Sequence, residues 1–94
     1  MKIIVSSLSL LRFLMQRENI WKRDLTTVVI YVRENKLGID GIKGFISIEA
    51  EMGGHYIVEV SKLKCLLEVL KLIQEQPLTL SLDNYEIEIQ NITF

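Results

Sequence analysis

IIVSSLSLL at residues 3–11 recurs 55 positions later as VEVSKLKCL at residues 58–66. Both stretches open with β-branched residues, reach a serine and continue with leucines at helical spacing. Each is followed by an alternating strand pair around a polar turn, at residues 28–36 and 78–84. An internal repeat constrains the architecture before any single propensity is weighed. The sequence predicts one domain, residues 1–94, with repeat halves at about 1–52 and 55–94.

Two helices follow from this repeat. The first begins at Ser6 or Ser7, whose hydroxyl oxygen accepts an N–H of the first turn, and it ends near Gln16. Its predicted core-facing residues are Ser7, Leu10, Leu11, Leu14 and Met15, with Phe13 among the polar residues opposite. The second spans residues 62–74 after a Ser61 cap. The repeat aligns Leu11 with Leu66, so we expect both leucines in the core.

The apolar arc of the second helix is wider than one sheet requires, because Cys65, Val69 and Leu72 extend it beyond the main leucine stripe. Such an arc indicates contact with a sheet and with the first helix. The strands are predicted at residues 2–5, 25–33, 37–42, 45–52, 55–60, 78–82 and 85–90. We therefore predict an α+β fold, a tandem β-α-β-β-β repeat with two helices side by side on one face of a predominantly antiparallel sheet.

Composition sets broad limits on function. The chain is 49% hydrophobic with a net charge of −1, a composition that excludes a disordered chain. It also lacks the excess of basic residues that is typical of a nucleic-acid-binding protein. The sequence contains no run of 18 apolar residues, so we expect no membrane-spanning helix. Cys65 is the only cysteine, so the chain cannot form an internal disulfide. We expect a cytoplasmic protein.

The whole pattern resembles a single domain of the DNA sliding clamps, which include the bacterial polymerase III beta subunit and the proliferating cell nuclear antigen. The resemblance is carried by MKIIVSSLSLL at residues 1–11, ENKLGI at 34–39 and YIVEVSKL at 56–63. Clamps join six such domains into a ring, so a one-domain chain would need six copies. The resemblance implies a clamp-like, DNA-associated module, a replication or repair accessory that works through self-assembly.

The resemblance also implies that the helices face DNA. The candidate DNA-facing residues are Arg12, Arg17, Lys22, Arg23, Lys64 and Lys71. Trp21 lies among the first four of these residues. The alternative to DNA contact is that this segment is a solvated connector with a partly buried tryptophan. On the second helix Lys64 and Lys71 alternate with Glu68 and Glu75, which reduces the field that a phosphate backbone would meet.

No arrangement of residues indicates catalysis. His55, the only histidine, follows two glycines at a strand start, where an exposed turn residue is the simpler interpretation. Cys65 is predicted to be a buried small apolar residue. Glu86 and Glu88 alternate along a strand, which is typical of a solvated strand face. We expect no enzyme activity, no catalytic residues, no metal and no cofactor.

Two classes of function remain. One is the clamp-like module, with double-stranded DNA and replication proteins as partners. The other is a protein-interaction or regulatory module that has the clamp fold without DNA binding. Self-association through sheet edges is expected at residues 45–52 and 85–94, which contain no proline to prevent strand pairing.

Overall fold

A computed structural model describes residues 1–21, 23 and 25–92 of the chain. The strands are β1 (Lys2–Ser6), β2 (Thr27–Arg33), β3 (Lys36–Ile39), β4 (Ile46–Ser47), β5 (Glu49–Ala50), β6 (Gly54–Glu59), β7 (Pro77–Asp83) and β8 (Glu86–Ile89). The helices are α1 (Ser7–Trp21) and α2 (Val60–Leu70). The α+β class is confirmed.

The strands form two antiparallel sheets, whereas we predicted one. One sheet has the order β5-β1-β7-β8 and the other β4-β3-β2-β6. β1 pairs with the β7–β8 hairpin of the second half, and β6 pairs with the β2–β3 hairpin of the first. Each sheet therefore combines strands from both halves of the chain. The helices contact each other, and both contribute to one hydrophobic core with both sheets.

Strand register shows how the two halves correspond, and it corrects the alignment drawn from the sequence. Val5 lies opposite Leu78, and Val58 lies opposite Val28. Val58 is thus the counterpart of Val5, a spacing of 53 residues instead of 55. The hairpins correspond at a spacing of 50, since Arg33 pairs with Lys36 as Asp83 pairs with Glu86.

The corrected spacing also aligns the buried positions of the helices. Ser7, Leu10, Phe13 and Leu14 of α1 correspond to Val60, Leu63, Leu66 and Leu67 of α2, and all are buried. The counterpart of Leu66 is therefore Phe13, which is 2% exposed. Leu11 is only half-buried and Met15 is 51% exposed, so our predicted facing of α1 was wrong by part of a turn.

Both helices have bounds that differ from the prediction. α1 continues to Trp21, which is fully buried, and its indole Nε1 donates to the Leu14 carbonyl at 3.3 Å. The alternative of a solvated connector with a partly buried tryptophan is thus wrong for residues 17–21, which are helical. Ser6 Oγ accepts from the Ser9 N–H at 3.5 Å, as expected of a capping serine. α2 begins one residue before Ser61, so Ser61 is not its cap.

The predicted strand at residues 45–52 is two short strands that belong to different sheets. β4 pairs with β3, and β5 pairs with β1. Between them Ile48 is 6% exposed, and its N–H donates to the Asn35 carbonyl at 3.0 Å. Asn35 Oδ1 accepts from the Ala50 N–H at 3.2 Å. The β2–β3 turn therefore holds the segment at the point where it crosses from one sheet to the other.

Two sets of bonds join the start of the chain to its second half. The Met1 ammonium donates to the Leu82 carbonyl at 2.8 Å, and the Leu82 N–H donates to the Met1 carbonyl at 2.7 Å. Among the described residues, Ser7 is the polar one that is buried in the core. Its Oγ accepts from the Gln76 N–H at 2.9 Å, and its own N–H donates to the Gln76 carbonyl at 2.9 Å. Buried polar groups need such partners, and here they fix the start of α1 beside β7.

Replacing Leu66 by alanine is expected to lower the free energy of unfolding by about 2–5 kcal/mol, because it opens a cavity in the core. Leu11→Ala, at the position that the sequence alignment wrongly paired with it, should cost about 1 kcal/mol, since Leu11 is half-exposed. Urea denaturation followed by circular dichroism measures both values. Equal losses would contradict the helix facing described here.

Candidate protein-interaction site

The structure places the basic residues that we predicted to face DNA on both helices and in the segments just after them. Arg12 is exposed on α1 and Lys64 on α2. Lys71 lies just after α2, with its Nζ 3.3 Å from Glu68 Oε1, so its charge is offset locally. Arg23 is exposed, and Lys22 lies outside the described residues. Contact of these residues with DNA stays a prediction.

Arg17, the remaining candidate, takes part in a structural contact. Its guanidinium lies 4.2 Å from the centre of the Phe13 ring, a cation–π distance. Its Nε donates to the Lys43 carbonyl at 3.1 Å, and its Nη1 donates to the Phe13 carbonyl at 3.3 Å. Arg17 thus fastens α1 to the loop between β3 and β4.

The residues considered for chemistry are exposed and lie on three different elements, β6, α2 and β8. His55 is exposed on β6, with its ring centre 6.3 Å from that of Tyr31. Glu86 and Glu88 are exposed on β8, as expected. Cys65 is exposed, so its predicted burial is wrong. In the described part of the chain, no group of three His, Cys, Asp or Glu side chains is placed to hold a metal ion.

Cys65 borders an apolar groove between α2 and β8. The groove has a volume of about 360 Å³ and is lined by Lys62, Cys65, Leu66, Val69, Ile87, Ile89 and Ile92. The predicted contact between the two helices is present, but Cys65 and Val69, which we expected to contribute to it, line this groove. Leu72, the third member of that stripe, is 75% exposed. The wide apolar arc therefore indicated apolar surface beyond what the two helices bury between them.

β8 forms one edge of its sheet, and no residue of the described ranges pairs with its outer side. The Gln90 N–H donates to the Thr79 carbonyl at 2.8 Å, which sets the phase of the ladder. In an antiparallel pair, the backbone groups of alternate residues point toward the partner and away from it. The N–H and C=O groups of Ile87 and Ile89 therefore point outward from the sheet.

The first half of the chain provides an internal comparison. Leu37 and Ile39 of β3 occupy the positions that Ile87 and Ile89 occupy in β8. β4 pairs with β3 at Lys36 and Leu37. Leu37 and Ile39 are 2% and 1% exposed, whereas Ile87 and Ile89 are only half-buried. A strand beside β8 would pair with Ile87 as β4 pairs with Leu37, and it would cover more of the exposed apolar surface there.

The edge at β6, the longest of the other edge strands, is partly covered. Along β6 the Ile57 N–H donates to Asn84 Oδ1 at 3.2 Å, and the Ile57 carbonyl accepts from the Tyr85 N–H. The turn of the β7–β8 hairpin thus occupies part of this edge. Larger depressions of about 710 and 750 Å³ border β1 and β5 around Ile4 and Glu49, but carboxylates and amides line them along with apolar groups. The α2–β8 groove is the more apolar surface, and it adjoins open backbone groups.

No protein-family model, curated protein or solved structure matches this chain. Among the described residues, neither helix has the length and apolar character needed to cross a membrane.

Cys65 is expected to react completely with a maleimide in native buffer, because the side chain is exposed at the groove. A matched control is Leu67→Cys in a Cys65→Ser background, since Leu67 is 0% exposed and should react only after denaturant is added. Intact mass spectrometry measures the labelled fraction. Protection of Cys65 without denaturant would contradict the exposed position.

Proposed function

We propose that this chain is a non-enzymatic protein-interaction module whose docking site is the groove between α2 and β8. The observation that carries the proposal is the difference between the two hairpins. Leu37 and Ile39 are almost fully buried, whereas Ile87 and Ile89 are half-buried at an open sheet edge. Apolar side chains beside unpaired backbone groups favour protein binding, because a partner can satisfy both at once.

The groove is suited to binding rather than to catalysis. Its lining is aliphatic apart from Lys62 and the Cys65 thiol. A nucleophilic site needs a base within hydrogen-bond reach and a group that orients it. His55, the only histidine, is on β6 and does not line the groove. Among the described residues, the absence of a histidine base beside the Cys65 thiol supports a docking role for the groove.

Selection of peptides from a displayed random library tests this function. Binding of the selected peptides should weaken at least about tenfold in Val69→Asp, because a carboxylate then replaces an apolar group in the groove. Leu72→Asp is the matched control, since Leu72 is exposed near the end of α2 and does not line the groove. Fluorescence anisotropy measures the affinities. Failure to select any peptide, or equal affinity for both variants, would reject the groove as a docking site.

A clamp-like DNA-associated module is the second candidate, and the distribution of charge favours it. α1 carries Arg12 and Arg17 against Glu18, and α2 carries Lys62 and Lys64 against Glu68. In the strands the balance is reversed, with Lys2, Arg33 and Lys36 against Glu49, Glu59, Asp83, Glu86 and Glu88. Each helix thus has one more basic than acidic residue, and the strands have two more acidic than basic ones. A phosphate backbone would therefore be weakly attracted to the helices and repelled by the strands.

If the helices bind DNA, Lys64→Glu should weaken binding to a 20-base-pair duplex several-fold at about 50 mM salt, where phosphate contacts are strongest. Lys2→Glu makes the same charge change on β1 and should have the smaller effect. Anisotropy of a labelled duplex measures both. Equal weakening by the two substitutions would indicate that binding depends only on the net charge of the protein. If the parent protein did not bind the duplex at this salt concentration, the DNA hypothesis would be rejected.

Ring assembly through sheet edges belongs to this second candidate, with replication proteins as further partners. Light scattering over a concentration series measures the mass in solution. A mass near six copies would support a ring. A monomer at high micromolar concentration would contradict ring assembly and would leave the docking module.

A further inference from the structure

Resting on the proposed docking function, we propose that the partner binds as an extended strand added antiparallel to β8, with apolar and cationic residues in alternation. Its apolar side chains enter the groove beside α2. Its lysine or arginine side chains lie over Glu86 and Glu88. Each part of this proposal follows from the geometry of the two hairpins.

The antiparallel direction follows from the first half of the chain. There β4 lies antiparallel along the outer edge of β3, with Leu37 opposite Ile46 and Lys36 opposite Ser47. β8 corresponds to β3 residue by residue, and it has the same ladder phase. The Asp40 N–H donates to the Val29 carbonyl at 2.8 Å, as the Gln90 N–H donates to the Thr79 carbonyl. An added strand on β8 therefore repeats a pairing that the fold already contains.

The alternation follows from the direction of the side chains. Successive side chains of a strand point to opposite faces of its sheet. Residues of the partner opposite Ile87 and Ile89 point toward α2, where Leu66, Val69 and Ile92 offer apolar contacts. Lys62 also borders this side, where its aliphatic stem can pack while the ammonium group stays in water. These partner positions therefore favour aliphatic residues.

The positive charge of the partner strand follows from the acidic residues on the outer face of β8. Glu86 and Glu88 are exposed there, and Asp83 lies opposite Glu86 on β7. Opposite charges on directly facing residues stabilise a strand pair, and like charges destabilise it. A lysine or arginine opposite each glutamate satisfies this requirement. A second copy pairing through its own β8 would place glutamates near glutamates, so the occupant is a different, cationic strand.

The test uses a ten-residue acetylated peptide with the central alternation Lys-Val-Lys-Val-Lys. One control replaces the lysines by glutamates. Two further controls carry N-methyl groups, either on both valines or on two of the lysines. In the proposed pairing the valine N–H groups donate to β8 and the lysine N–H groups point away from it. The two methylated peptides therefore have the same number of N-methyl groups, but only the methylated valines lose hydrogen bonds to β8.

We expect N-methylation of the valines to weaken binding at least about tenfold and N-methylation of the lysines less than about threefold. The glutamate peptide should bind the parent at least about tenfold more weakly, and it should bind better to Glu86→Lys combined with Glu88→Lys. Anisotropy gives the affinities, and thermal melting checks that the exposed double variant is folded. NMR shift changes should centre on β8 and the adjoining side of α2.

Equal effects of the two methylations would overturn the strand pairing. If the lysine peptide bound the Glu86→Lys, Glu88→Lys double variant as tightly as the parent, the charge preference would be overturned. If library peptides bind the groove as helices or carry acidic residues, the docking function stands and this inference fails. If no library peptide depends on Val69, the docking function itself fails.

Discussion

The structure depends on the exchange of strands between the two halves of the chain. β1 is completed by the β7–β8 hairpin, and β6 by the β2–β3 hairpin. Some pairings lie within one half, such as β2 with β3 and β7 with β8. Each four-stranded sheet is nevertheless complete only when both halves are in place. The core is shared in the same way, since Val5 and Val58, at corresponding positions, are 3% and 0% exposed within it. Either half alone would therefore lack part of each sheet and part of the core.

The candidate site arises where the two halves stop being equivalent. After β3 the chain continues into β4 and β5, which cover the outer edges of both β3 and β1. After β8 no corresponding strand is present among the described residues. The hairpin turn around Asn84 covers part of the β6 edge, but β8 stays open. The departure from symmetry thus explains why the β3 edge is paired within the chain and the β8 edge is open in the described part of the chain.

Local patterns predicted much of the fold, and long-range pairing accounts for the main errors. Alternation located the strand pair at residues 28–36, in which Val28, Ile30 and Val32 are buried, and the hairpin turns were located from polar residues. The repeat was aligned two residues away because matching serines and leucines outweighed Phe13, whose ring is buried. Alternation over residues 45–52 continues through Ile48, so it carries no mark of the change of sheet. The groove was visible only as excess apolar surface on α2, since the sequence does not state what faces that surface.

The bonds between Met1 and Leu82 have a consequence for the order of events during synthesis. These residues are 81 positions apart, and β1 leaves the ribosome before its partner β7 is made. Ile3, Ile4 and Val5 are therefore without their neighbours on β7 during the synthesis of the residues in between. An apolar, β-branched segment with an unpaired edge is prone to aggregate during such an interval. The β7–β8 hairpin thus covers a strand that was made well before it.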